Sequence, residues 1–174
     1  MLLSNGTGFS RIAKAFAGVA LLTLIAGCQV RPLYSTESGT AGKLASVSVS
    51  EASGRIEQQV RNDLIFLFSG GAGEIENAAY RLDINVTAST SGVLNDVATD
   101  TMRAGRTTVA GDFTLVKVDT GETITSGKRS AVALVDFPRQ EFAKTRAIRD
   151  SQNRAARELA ELIRADVAIT LARR

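Results

Sequence analysis

Apolar residues follow three different rules along this 174-residue chain. From Ala15 to Ile25 they form one unbroken run, AFAGVALLTLI. In two later stretches they return every three or four residues, which is the spacing of one helix face. Elsewhere they alternate with polar residues, as on a strand with one side buried.

These patterns predict a sequence of elements. Lys43 to Ser50 (KLASVSVS) alternates, with Val47 and Val49 on one side, and predicts a first strand. Ile56, Val60, Leu64 and Leu67 form one stripe and predict a helix over Glu51 to Phe68. Ser53 is placed to cap its start, and Ser69-Gly70-Gly71 to end it. The piece through Gly73 reads as a loop. Tyr80, Leu82, Ile84, Val86 and Ala88 alternate with Arg81, Asp83, Asn85 and Thr87, the clearest half-buried strand in the chain. Ser89 to Gly105 reads as a long loop or a strand extension. Thr107 to Val118, with Val109, Phe113 and Leu115 on one face, predicts another strand. Asp119-Thr120-Gly121 is a turn, and Glu122 to Phe137 returns to close a hairpin. Ile148, Gln152, Ala155, Leu159, Ile163 and Val167 predict a last helix over Gln140 to Ala172. Pro138 sits near its start, where a missing N–H costs little.

The order β-α-β-β-β-α implies an α+β fold. Two helices would pack on one face of a single, mainly antiparallel sheet of about four strands. Leu82 and Ile84 are expected to face Leu64 and Leu159 across the core.

The unbroken run has a different meaning. It is shorter than the roughly 20 apolar residues that span a bilayer. Arg11 and Lys14 precede it and no acidic residue does, which is the layout of a secretion signal. It ends in Ile25-Ala26-Gly27-Cys28, the pattern of a lipobox: an aliphatic residue, two small ones, then the cysteine that takes lipid. Residues 1–27 are therefore expected to be a lipoprotein signal peptide. Cys28 would carry diacylglycerol and an N-acyl chain such as palmitate, and would anchor the protein to a membrane. Cys28 is the only cysteine, so an internal disulfide is excluded. Gln29 rather than Asp after it implies sorting to the outer membrane, on its periplasmic face. Residues 28–42, with Pro, Ser, Thr and Gly, read as a lipidated tether, and residues 43–174 as a single periplasmic domain. Removing the signal removes two of 21 basic residues and none of the 18 acidic ones. The working protein is thus nearly neutral, which gives nucleic-acid binding no support.

Enzymatic readings fare poorly. The chain has no histidine, which removes Ser-His-Asp, Cys-His and His-ligated metal sites. Gly121 to Lys128 superficially matches a phosphate loop. It has five residues between its glycines rather than four, Arg129 in place of Ser or Thr, and a strand where a helix should follow. Gly71 and Gly73 lack the third glycine of a dinucleotide loop. Asp83 and Asp112 lie on the polar side of alternating strands and read as solvated surface. No catalytic residue, metal or dissociable cofactor is expected.

Gly27-Cys28-Gln29-Val30-Arg31-Pro32-Leu33-Tyr34 resembles the GC-x-x-R-P-L-Y opening of the lipopolysaccharide-assembly lipoprotein family LptE, in particular its alphaproteobacterial members. Tyr80-Arg81-Leu82, Phe113-Thr114-Leu115 with its Asp119-Thr120-Gly121 turn, Phe142-Ala143 and Ser151 to Ala160 extend the resemblance over nearly the whole chain after Cys28. It implies a two-helix, one-sheet fold and a non-enzymatic role. The protein would plug and support the outer-membrane β-barrel LptD and help insert lipopolysaccharide. The alternative is a lipid-anchored accessory subunit of another envelope transport or secretion machine, binding lipid in a groove. That reading predicts a large apolar cavity between helices and sheet, whereas the plug reading predicts a filled core.

If lipopolysaccharide is a ligand, its phosphates call for clustered Arg and Lys. Between Thr101 and Arg149 there are nine basic residues against five acidic ones. Arg103 and Arg106 at the loop entering the third strand, with Lys128 and Arg129 on its hairpin partner, are the candidate contacts, expected to share one edge of the sheet.

Overall fold

The computed structural model of the protein describes residues 39–96 and 101–174. The expected signal segment, Cys28 and most of the expected tether lie outside the described residues, as do residues 97–100 of the Ser89–Gly105 segment. In chain order the elements are α1 (Thr40–Ala45), β1 (Val47–Val49), α2 (Arg55–Ser69), β2 (Tyr80–Asp96), β3 (Thr101–Lys117), β4 (Thr123–Asp136) and α3 (Glu141–Ala172).

The four strands form one sheet in the order β1-β2-β3-β4. β1 is parallel to β2, with Val47 opposite Tyr80 and Val49 opposite Leu82. The other two pairings are antiparallel. The expected α+β architecture is present, with one short helix added.

That helix corrects two expectations. Thr40–Gly42, read as tether, and Lys43–Ala45, read as strand, form α1, which starts after Gly39 at a φ of 67°. Leu44 is buried there against the other helices rather than alternating along a strand. Only Val47–Val49 remains to pair.

The α2 stripe buries Val60, Leu64 and Phe68, with Ile56 and Leu67 packed at its margins. Gly70, at a φ of 63°, ends the helix in the left-handed region that glycine enters without Cβ strain. The first residue of the cap is Gly54 rather than Ser53. Ser53 instead donates both its N–H (2.7 Å) and its hydroxyl (2.6 Å) to the Glu57 carboxylate.

Of this segment, Ser89–Asp96 extends β2 and Thr101–Gly105 begins β3, so the β2–β3 ladder is much longer than its apolar alternation suggested. Its upper part is paired by other means. Gly92 lies opposite Gly105. Thr90 and Thr107 share a hydroxyl bond of 2.9 Å, and Thr107 meets the Ser151 hydroxyl of α3 at 2.7 Å. A Cβ on Gly105 would lie 2.3 Å from the Phe137 ring, so the glycine is what lets that ring lie against the strand.

The core fills the space between the helices and one sheet face. Leu64, Leu82, Val109, Leu115, Leu159 and Ile163 are each 0% exposed. Ala155, Ala156, Ala160 and Ala168 on α3, with Ala131 and Ala133 on β4, bring helix and sheet close together.

Candidate functional site

α3 changes character along its length. No side chain from Glu141 to Asp150 is buried, whereas from Ser151 onward the core-facing positions are. Its first ten residues therefore stand clear of the core, beside the end of β4 and the start of β3. Between these three elements lies an open pocket of about 480 Å³, lined by Met102, Arg103, Phe137, Pro138, Arg139, Glu141 and Lys144.

The pocket combines two chemistries. Among the described residues that line it, the cations are Arg103, Arg139 and Lys144 and the carboxylate is Glu141, which lies 3.7 Å from the Lys144 ammonium. That ammonium also stands 5.6 Å from the centroid of the Phe137 ring. Arg146 stands 5.9 Å from the centroid of Phe142, which is 77% exposed. Leu134, at 71%, and Met102, at 52%, add further exposed apolar surface. Single exposed hydrophobes are ordinary. Here they accompany cations at one end of the molecule, a combination suited to an amphiphile with an anionic head.

The four basic residues expected to share an edge do not meet. Arg103 lines the pocket. Arg106 is opposite Ser91 and Leu134 on the helix-free face of the sheet. Lys128 shares that face six positions further along, roughly 20 Å away at the usual strand rise. It lies opposite Asp112 and forms an ion pair with it at 3.3 Å. Arg129 points the other way, toward α3, where Asp166 holds it through contacts of 2.8 and 2.9 Å. Those hydrogen bonds and the Asp166 charge raise the Arg129 pKa above its ordinary value. The physical reason is alternation: neighbouring residues on a strand face opposite ways, and β3 is an inner strand of the sheet rather than an edge.

The pocket residues that pattern reading did not single out as a site are Met102, Phe137, Pro138, Arg139, Glu141 and Lys144. A signal existed in the break at Pro138 followed by aromatic and basic residues at the start of a helix. Asp83 and Asp112, expected as solvated surface, are each tied to a cation on the helix-free face, Arg81 and Lys128. Gly121 to Lys128 is a turn running into β4.

The sequence profile of the lipopolysaccharide-assembly family LptE matches residues 44–167. The chain belongs to the LptE family. Its role accordingly lies in lipopolysaccharide assembly, within envelope biogenesis. Three solved structures share the fold of this LptE chain. A Caulobacter crescentus protein assigned as a lipoprotein is 22% identical, with a TM-score of 0.65 over 79% of this chain and 98% of its own. Rare lipoprotein B of Shewanella oneidensis is 17% identical, with a TM-score of 0.54 over 71% and 92%. A minor lipoprotein of Acinetobacter baumannii is 13% identical, with a TM-score of 0.51 over 71% and 88%. No curated protein sequence matches significantly.

Proposed function

We propose that this LptE chain works without enzymatic chemistry. It is anchored through lipid on Cys28 to the periplasmic face of the outer membrane and supports and plugs the barrel LptD. Its β4–α3 end contacts lipopolysaccharide. The family match over residues 44–167 carries the assembly role. Two features of the molecule support the finer reading.

The first is the packed interior. Leu64, Leu82, Leu159 and Ile163 fill the helix–sheet interface without exposure, so the domain is a solid body rather than a container for acyl chains. This favours the plug over a lipid-carrying groove. Large barrels have polar lumens, and the helix-free face presents Asn85, Thr87, Ser89, Thr108, Thr114 and Ser130 in register across β2, β3 and β4. The second is the pocket, where Arg103 and Arg139 are suited to bidentate phosphate contacts while Met102 and Phe137 offer apolar surface to chains.

Binding of purified lipopolysaccharide to the detergent-solubilised protein tests the contact. Arg103→Glu with Arg139→Glu should weaken it about tenfold or more, roughly 1.4 kcal/mol, and most at low salt. Arg106→Glu with Lys128→Glu asks separately whether the helix-free face takes part. Binding unchanged by the first pair would remove the β4–α3 end from the reading.

A further inference from the structure

β4 is the outer strand of the described sheet, and its sequence makes that position hazardous. Ser130 to Val135 reads SAVALV: six residues with no charge, no proline and no glycine, rich in β-branched and aliphatic side chains. Such a segment on an open edge is a template for pairing with another chain. Its outward side chains are not hidden either: Val132 is 47% exposed and Leu134 71%.

Two guanidinium groups close this edge. Arg154, from α3, donates to the Leu134 carbonyl at 2.8 Å and is itself ion-paired with Asp150 one turn earlier. Arg129 reaches the Lys128 carbonyl at 3.4 Å while Asp166 of α3 holds it on two sides. Both carbonyls belong to alternate residues of one strand and so point the same way. They bracket Ser130 and Val132, so a guanidinium group stands at each end of the apolar segment. The opposite edge is treated alike. Where β1 ends, the Ser50 hydroxyl accepts the Ile84 N–H at 3.1 Å, and Glu57 accepts the Val86 N–H at 3.2 Å.

We propose that Arg129 and Arg154 are edge guards, and that the β4 edge they close is a latent strand-pairing surface whose occupant, once opened, is β4 of a second copy of this chain. Antiparallel pairing of β4 with itself closes as a symmetric dimer. The guards keep the domain from pairing with its own copies. This assigns Arg129 a part in the fold's isolation, independent of lipid and of any barrel.

The test is the mass of the full-length protein in detergent, measured by light scattering with the micelle subtracted. Arg129→Ala with Arg154→Ala should raise it roughly twofold or more through self-pairing. Arg154→Lys, which keeps a donor for Leu134, should stay monomeric. The decisive variant adds Val132→Lys to the double mutant. A charge on the exposed face of the edge opposes pairing but mends no contact with α3, so it should return the mass to that of a monomer. A double mutant that stays monomeric overturns the proposal. So does one that aggregates and is not rescued by Val132→Lys, because that outcome means the arginines only hold α3 in place.

Discussion

Glu57 shows how much one side chain can bind together. It is 5% exposed, and its carboxylate accepts from Ser53 at the start of α2 and from Val86 on the β2 edge. Burial pushes its pKa up, but the hydrogen bonds from Ser53 and Val86 outweigh that, and the net shift is below the ordinary 4.5. A depressed folded-state value means the stabilisation is complete above the ordinary value and is lost as pH falls through the lower one. Thermal melting of the wild type should therefore decline with acid below about pH 4.5. Glu57→Gln, which sets an amide donor among backbone donors, should cost about 1–3 kcal/mol at neutral pH and flatten part of that decline. A variant with the wild-type melting profile at every pH would show that the carboxylate holds nothing. Leu82→Ala, at a fully buried position, should cost about 2–5 kcal/mol. The Leu82 placement was legible because strand alternation leaves a residue only two choices of face. Glu57 was not legible, since an acid at the third position of a helix looks the same whether it is solvated or captures a neighbouring strand.

The elements divide along the same line. Long segments with sustained periodicity, β2 to Ala88 and α2 and α3, could be read from apolar spacing alone. The α1–β1 boundary could not. Leu44, Val47 and Val49 satisfy alternation well enough to suggest one strand, yet Leu44 is on a helix and the ladder has only three residues. The upper part of the β2–β3 ladder was left open between loop and strand extension because its backbone pairing is accompanied by Thr90–Thr107 hydroxyls and a Gly–Phe contact, with no apolar rhythm. α3 is the one helix expected, with a start whose side chains stand clear of the core. Amide hydrogen exchange should therefore be faster over Phe142–Asp150 than over Ala155–Leu171, where core packing opposes opening. Phe142→Ala should change stability by no more than about 0.5 kcal/mol, as is usual for exposed positions. Equal protection along the whole of α3 would contradict this division.

At the scale of the molecule, fold and family were accessible from sequence while the arrangement of the site was not. The excess of basic residues between Thr101 and Arg149 is real, but the sheet's two faces distribute it. Arg103 joins Arg139 and Lys144 at one end, Lys128 pairs with Asp112, and Arg129 turns to Asp166. Only the register and the β4–α3 corner fix which cations share a surface. The anchor is a separate claim about Cys28. A fatty-acid analogue supplied to growing cells should label the wild type and not Cys28→Ala, and label kept by the variant would refute lipidation there. The central claim, that this domain serves lipopolysaccharide assembly by seating in an outer-membrane barrel, is tested most directly by affinity purification of the detergent-solubilised wild-type protein from its native envelope. One barrel protein of the LptD type should accompany it in equal amount and survive washing at high salt, because a plug is held by shape and burial more than by surface charge. Recovery of the protein alone, folded and lipidated, would contradict the account.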